Sequence, residues 1–520
     1  MPLLRARGRL QFRFRKSPYL RGRLSCAICY HALRTVGFRW IGEGSEGMVF
    51  SSLVFLFAFL SIHLVVYFFA PKHFRNPWLL ISSLAFYAWG GPQYLPLIMF
   101  ESLASWFFAL RIQSSQSASR KRANLVACCV VLLGLLAYFK YMMFLLGNIQ
   151  FLTGVPAEIP TIILPIGISF YTFQLISYVA DVYRGEVTAQ PAYWKVLMYA
   201  SLFHQCIAGP IIRYETVQSE IDNRRVTRKD VFYGVRRFCV GLAKKAILAN
   251  SCAEVADTLL PTGVGAVFSE PTLGCWLGMI FYMFQIYFDF SAYSDMAIGL
   301  GRMVGFHYLE NFNYPYMATS IKDFWRRWHI SLSSFFRDYV YIPLGGSRCD
   351  EVLVVRNYCV VWFLTGLWHG ASWNYIFWGL FYLGFLMLER YVIKGRIPRA
   401  LDHVYACLVV LVGWVLFRFE DMGELLSVLA NMFLVGGVPL TSMEVGTLFL
   451  QNVFLLAFCI VACTNLGKVL RGKLFKMAKR NTVAGVVFGV TEAITPVVLL
   501  LLSVVSLAGA TYNPFIYFQF

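Results

Sequence analysis

Two histidines, His329 and His369, are the side chains in this sequence most suited to chemistry. Each directly follows a tryptophan, and they lie 40 residues apart in a chain that is 58% hydrophobic and only 14% charged. A histidine in such surroundings can exchange a proton near neutral pH, as a general base or within a proton relay. The alternative is a buried histidine that bonds to a backbone carbonyl group. The residues alone leave these interpretations open.

Charged residues cluster around the first histidine. They are Lys322, Asp323, Arg326, Arg327, Arg337 and Asp338. Ionisable groups near bilayer depth cost several kcal/mol and are usually retained for function. The cluster therefore predicts a functional cavity that supplies partners for these charges.

Two carboxylates, Asp289 and Asp295, lie in the mostly apolar run 273–305. We expect them to hydrogen-bond to groups around the cavity, with a metal-binding pair as the alternative that we do not favour. The sequence contains no G-x-S-x-G elbow, P-loop or H-E-x-x-H motif. These absences leave no standard hydrolase, nucleotide-binding or zinc-protease pattern.

The composition predicts a polytopic α-helical membrane protein, because the apolar runs are continuous rather than alternating. The net charge of +19 fits Lys and Arg in cytoplasmic loops better than a nucleic-acid partner. We expect such loops at 111–122, 222–245 and 468–480. The block at 222–245 could also attract an anionic ligand.

The apolar segments that position the histidines follow one another closely. Spans are expected at about 49–70, 77–90, 93–110, 124–147, 371–393, 403–419, 447–466 and 482–510, with a further span ending at His369. The segment 159–183 is interrupted by Pro160, Pro165 and Gly167, which predicts a kinked or a re-entrant helix. Residues 1–47 are Arg-rich and form a basic extension, either disordered or the product of a misassigned start.

The charged cluster is expected to lie on an amphipathic helix that begins after Thr319 or Ser320 as N-cap. Arg326 and Arg327 should point toward phosphate groups of lipid or of a bound ligand. The opposite, apolar face is formed by residues at i, i+3 and i+7, namely Trp325, Trp328 and Leu332. A turn through Pro343, Gly345 and Gly346 should follow.

Two strings, WRRWHISLSSFFRDYVYIPLGGS and LTGLWHGASWNYIFWG, are similar to motifs of the membrane-bound O-acyltransferases. Residues 48–520 resemble in particular the bacterial alginate O-acetyltransferase branch of that family. The resemblance implies an all-α polytopic fold with roughly 11–13 spanning or re-entrant helices around a central tunnel.

The resemblance also implies a chemistry. His369 would be the catalytic base, and His329 would assist or position. The donor would be acetyl-CoA or an acyl carrier, with no bound cofactor or metal. Candidates for lining the tunnel or binding the donor are Arg326, Arg327, Trp325, Trp368, Asp289, Asp295 and Asn374.

The C-terminal FIYFQF resembles an ending in which a tyrosine, here Tyr517, receives the acyl group. The alternative is an aromatic anchor at the membrane surface. The implied protein lies in a bacterial inner membrane with its C-terminus in the periplasm. An SGNH-type periplasmic transferase would complete O-acetylation of a polysaccharide, for which alginate is the first expectation and peptidoglycan, cellulose or another exopolysaccharide are alternatives. A proton-coupled transporter that uses Asp289, Asp295 and His369 is the alternative from another class.

Overall fold

Long apolar runs become helices in this chain because a backbone inside a bilayer must satisfy its hydrogen bonds within one segment. The computed structural model describes residues 49–155, 159–206, 209–263, 265–393 and 398–509, without the side chains of 399 and 400. Over these ranges the regular secondary structure is helical, and eight helices are long and apolar enough to cross a membrane. The predicted all-α polytopic fold is confirmed.

The first part of the chain begins with a π-helical segment, Phe55–Leu60, that runs into α1 (Ser61–Phe69). The helices that follow are α2 (Arg75–Gly90), α3 (Leu95–Ser114), α4 (Ala118–Thr153), α5 (Ile168–Arg184), α6 (Tyr193–Ser201), α7 (Phe203–Cys206), α8 (Tyr214–Asn223), α9 (Arg228–Ala243), α10 (Asn250–Leu259) and α11 (Thr272–Met303). A second π-helical segment, Lys244–Ala249, joins α9 to α10.

The second part contains the segments that carry both histidines. Its helices are α12 (Ile321–Arg327), α13 (Ile330–Phe336), α14 (Glu351–His369), α15 (Trp373–Leu388), α16 (Arg399–Arg418), α17 (Met422–Met432), α18 (Met443–Ala462), α19 (Leu466–Ala478) and α20 (Thr482–Gly509). Further π-helical turns, Arg337–Tyr341 and Glu389–Ile393, follow α13 and α15.

Helix α11 lies at the centre of the fold and is buried along nearly its whole length. Helix α9 packs against it through glycines. A Cβ atom at Gly299 would lie 2.7 Å from the carbonyl oxygen of Gly234 and 2.7 Å from the backbone nitrogen of Phe238. Small residues let two helix backbones approach this closely in a membrane.

The basic block predicted as a loop at 222–245 is mostly helical, which corrects that expectation. Residues 228–259 form α9, the π-helical segment and α10 in succession. Thr227 caps α9, since its side chain accepts from the backbone of Asp230 while the Asp230 carboxylate accepts from the backbone of Thr227. Three cations of this block, Arg237, Lys244 and Lys245, lie on helical turns that face α11.

The helix predicted after Ser320 does form, and Ser320 is its N-cap. It ends at Arg327, however, so Trp325 and Leu332 lie on two short helices instead of one. The break falls at His329, which adopts a left-handed backbone with φ 44° and ψ 54°. Local periodicity does not reveal this break, because the contacts that stabilise it come from residue 311.

The interrupted segment near 159–183 has no regular secondary structure before Pro165 and is helical from Ile168. Gly167 makes the transition with φ 74°, and a Cβ atom there would lie 2.2 Å from the Cys206 carbonyl oxygen. The later turn through Gly345 (φ 109°) and Gly346 (φ 59°) matches the predicted one. Residues 48–520 form one compact unit, and the predicted extension at 1–47 lies outside the described residues.

Candidate active site

His369 is the last residue of α14, as its sequence position predicted. It is 3% exposed, and three aromatic rings surround it. The ring centroids of Trp378, Trp368 and Phe417 lie 4.8, 5.0 and 5.2 Å from that of the imidazole. The Nδ1 atom has no hydrogen-bond partner among the described residues. The imidazole is therefore held by ring packing, and its Nδ1 atom is available to exchange a proton.

The turn after His369 is fixed by close packing. A Cβ atom at Gly370 would lie 2.2 Å from the ring of Tyr375. Asn374, at the start of α15, donates to the carbonyl oxygens of Leu416 (3.2 Å) and Phe417 (3.5 Å). Asn374 thus ties the end of α16 to the turn beside His369.

His329 is fully buried and lies between α11 and α14. Its ring meets Phe290 edge-on at 4.6 Å and Trp368 at 5.8 Å between centroids. Its Nδ1 atom lies 3.3 Å from Asn311 Oδ1 and 3.4 Å from Ser331 Oγ. Burial lowers the pKa of His329 to about 3, so the imidazole is neutral at physiological pH.

Asn311 determines which nitrogen of His329 carries the proton. The Asn311 amide donates to Ser294 Oγ (3.2 Å), so its Oδ1 atom faces His329 and Ser331. That oxygen also accepts from the backbone nitrogen (3.1 Å) and the hydroxyl (2.9 Å) of Ser331. Because Asn311 Oδ1 accepts a hydrogen bond from Nδ1, the Nδ1 atom must carry the proton. The Nε2 atom then has a free lone pair. Nε2 is buried without a partner in the described part of the chain.

Trp368 brings the two histidines into one site, because its indole ring contacts both imidazoles. Phe170 and Phe173 of α5 pack on the same indole, at 5.4 and 5.9 Å. The two sequence motifs thus converge on a single buried aromatic group.

Trp325 lies near this site and packs against side chains of α14 and α15. Its ring contacts Trp362 at 4.9 Å, Trp378 at 5.5 Å and Tyr382 at 4.9 Å. Trp378 in turn contacts His369. Trp325 therefore supports the wall of the site.

The structure pairs both aspartates of α11 with cations of the basic block. Lys245 lies 2.9 Å from Asp289, and both side chains are almost completely buried. Asp295 pairs with Arg237 at 2.7 Å and Lys244 at 2.6 Å. Across the described ranges, no group of three or more His, Cys, Asp or Glu side chains could hold a metal ion.

The two arginines before His329 differ in their surroundings. Arg326 is exposed, whereas Arg327 pairs with Asp323 at 3.0 Å. Arg327 also lines a cavity of about 370 Å³ together with Lys468 from α19. Two cations at one cavity form a site to which an anion would be attracted.

Sequence reasoning missed two residues of the site. Asn311 lies in the polar stretch before α12, and its sequence context carries no signal of a contact with His329. Lys140 of α4 is a cation within the apolar run 124–147, and that isolation was an available signal. Its Nζ atom donates to the carbonyl oxygens of Trp368 (2.5 Å) and His369 (3.4 Å). The proposed acceptor Tyr517 lies outside the described residues.

Comparison with known proteins identifies the family of this chain. Residues 186–407 match the model of the membrane-bound O-acyltransferase family. The "Probable alginate O-acetylase AlgI" of Azotobacter vinelandii is 39% identical over 514 residues, which cover 91% of this chain and 100% of the relative. The protein of the same name from Pseudomonas aeruginosa is 40% identical, over 79% of this chain and 81% of its own. A "Peptidoglycan O-acetyltransferase" of Helicobacter pylori is 34% identical, over 76% and 81%.

The fold and the site define a multi-pass helical membrane protein with a buried two-histidine centre. The chain belongs to the membrane-bound O-acyltransferase family, and it is an O-acyltransferase.

Proposed function

We propose that this protein transfers an acetyl group from a cytoplasmic donor across a bacterial inner membrane, for O-acetylation of an extracytoplasmic polysaccharide. The observation that carries the proposal is the convergence of His329 and His369 on Trp368, inside a fold whose relatives are named for O-acetylation of alginate and peptidoglycan. Alginate is the favoured polymer because the more similar relatives carry that name. Peptidoglycan is the second candidate, and cellulose or another exopolysaccharide would be acetylated by the same reaction.

His369 is the proposed catalytic base. The acceptor hydroxyl attacks the carbonyl carbon of the donor thioester, so that a C–O bond forms and the C–S bond breaks. The hydroxyl proton passes to the neutral imidazole and then to the departing thiolate, and the reaction needs no cofactor. General base catalysis of this kind contributes about 10²–10⁴-fold. Burial among Trp378, Trp368 and Phe417 keeps water from competing for the thioester.

His329 is proposed to assist. Its Nδ1–H is held by Asn311, and its free Nε2 can accept a hydrogen bond from the acceptor hydroxyl. Two imidazoles on one indole can then orient the hydroxyl before proton transfer. The ion pairs of Asp289 and Asp295 support a structural role for both carboxylates, in holding α9 and the π-helical segment after it on α11.

The donor is proposed to be acetyl-CoA, with an acyl carrier protein as the alternative. Arg327 and Lys468, which line one cavity, suit the phosphates of either donor. The basic helices α9 and α19 are proposed to face the cytoplasm, in keeping with the excess of Lys and Arg expected on that side. The C-terminus then lies in the periplasm, where an SGNH-type transferase is the proposed partner for the final step to the polysaccharide.

The test is acetyl labelling of the purified full-length chain with radiolabelled acetyl-CoA. Wild type should consume the thioester or retain label, while His369→Ala should do neither. His329→Ala should keep a reduced rate. His73→Ala is the matched control, because this histidine is exposed on the turn between α1 and α2. Equal thioester consumption by wild type and His369→Ala would refute the assignment.

A covalent relay through Tyr517 is part of the proposal. Tyr517→Phe keeps the aromatic ring and removes the hydroxyl group that would carry the acetyl ester. The variant should lose the stable label on the protein. It should still turn over the thioester when a soluble acceptor is present. Polysaccharide acetylation that persists in cells carrying Tyr517→Phe would remove the relay and leave the acyltransferase in place.

A further inference from the structure

The last turn of α14 is held by side chains of α4, far away in the sequence. The final four carbonyl groups of a helix have no partner within it and need one from elsewhere. Tyr141 Oη donates to Leu367 O at 2.6 Å. Lys140 Nζ donates to the next two carbonyl oxygens, those of Trp368 (2.5 Å) and His369 (3.4 Å). Three consecutive carbonyls up to the proposed base are therefore capped by two adjacent residues.

Lys140 is an unusual choice for this task. Its side chain is 9% exposed and lies within a membrane-spanning helix. No carboxylate lies within ion-pair distance of Nζ in the described part of the chain. The remaining contacts of Nζ are Ser169 Oγ (3.4 Å) and the face of the Trp368 ring (5.7 Å). Its countercharge is thus the negative end of α14, to which a cation is attracted.

A buried, uncompensated cation is costly, and any neutral donor could cap a single carbonyl group. An ammonium group differs because it has three donors and can bind two carbonyls and a hydroxyl at once. All three partners belong to the wall around Trp368 and His369. The contacts that compensate for burial of the Lys140 cation therefore lie at the site.

We propose that Lys140 is a positioning residue for the acyl-transfer site: its ammonium group fixes the last turn of α14 and thereby aims His369 and Trp368. The acyl-transfer part of this inference rests on the proposed function. The structural part, that Lys140 holds the end of α14, stands independently of it.

The experiment compares Lys140→Met, Lys140→Arg and Tyr141→Phe with wild type. Acetyl transfer is measured per folded protein, and amide hydrogen exchange is followed in peptides covering 366–374. Lys140→Met should lower kcat about 10²-fold with little change in KM, because displacing a catalytic group by about 1 Å has an effect of this size. Exchange at 366–372 should become faster in the same variant. Lys140→Arg should restore most of kcat, and Tyr141→Phe should show a smaller loss of the same kind.

Lys121→Met, on the same helix and outside these contacts, should behave as wild type in both measurements. If Lys140→Met does not fold, Lys140→Gln takes its place, since it removes the charge and keeps a polar side chain at this position. Unchanged kcat and unchanged amide exchange in the variant that removes the Lys140 charge would overturn the proposal. A loss of kcat without faster exchange would overturn it too, because the end of α14 would then not depend on Lys140. If wild type itself transfers no acetyl group, the proposed function fails while the exchange measurement still decides the role of Lys140.

Discussion

The chemistry of His329 depends on one hydrogen bond. Asn311 Oδ1 receives three contacts, from the His329 ring and from the backbone and hydroxyl of Ser331. These contacts set the tautomer of the imidazole and also stabilise its left-handed backbone, which costs about 1–3 kcal/mol for a residue other than glycine. The same amide group therefore controls the position and the proton of His329.

Asn311→Ala should consequently reduce acetyl transfer more than it reduces stability. Without Oδ1 the ring can rotate or adopt the other tautomer, and we expect kcat to fall about 10²-fold, within the range for a misplaced general acid or base. Asn311→Asp keeps an acceptor for Nδ1–H and should lose less. The measurement is kcat per folded protein, with Asn124→Ala on α4 as the control. Wild-type kcat in Asn311→Ala would show that His329 has no part in the rate-limiting step.

At the scale of elements, the packing of the π-helical segment Lys244–Ala249 on α11 is stabilised by the buried ion pair of Lys245 and Asp289. Breaking such a pair by removing one partner costs about 3–5 kcal/mol, whereas replacing both partners can be nearly neutral. Asp289→Asn should therefore lower the thermal unfolding midpoint strongly. The double variant Asp289→Asn with Lys245→Met should recover most of the loss.

The double variant also separates two functions. A structural pair predicts that acetyl transfer recovers together with stability. A proton relay through Asp289 predicts that transport stays lost, because no titratable group returns. Recovery of stability without recovery of activity would move Asp289 from the scaffold into the functional machinery.

Close helix contact gives a further prediction on the same interface. Gly299→Ala would place a methyl group 2.7 Å from backbone atoms of α9, which cannot rotate away. Overpacking of this kind costs about 1–3 kcal/mol, and the unfolding midpoint should fall. Gly446→Ala on α18 is the matched control, since a Cβ atom there meets nothing within 4 Å. It should leave the midpoint unchanged or raise it, because alanine favours helix formation. Equal midpoints for the two variants would contradict the close contact.

At the scale of the whole molecule, the parts that could be predicted are those determined by local composition. The span expected at 447–466 is found at Met443–Ala462, because lipid requires about 20 apolar residues in succession. His369 was placed correctly at a helix end for the same reason. The break at His329, by contrast, depends on Asn311.

Long-range pairing accounts for the other misses. Lys140 bonds to carbonyl groups 228 and 229 residues later in the chain. Asp289 pairs with Lys245 from a block that reads, by charge alone, as a loop. An isolated charge in an apolar run indicates that a partner exists, but the sequence does not say which residue supplies it. Only the packed helices identify those partners.

The boundary expected before Met48 gives the last prediction. Residues 48–520 form a unit with their own contacts, and the A. vinelandii relative aligns over its full length with 91% of this chain. Every residue used above for proton transfer, positioning or helix packing lies within that unit. A chain that starts at Met48 should therefore insert into membranes, unfold at the wild-type midpoint and transfer acetyl groups at the wild-type kcat. The measurement is made on both chains purified in the same detergent. A folded 48–520 chain with reduced kcat would instead assign residues 1–47 a part in binding the anionic donor, to which their arginines would be attracted.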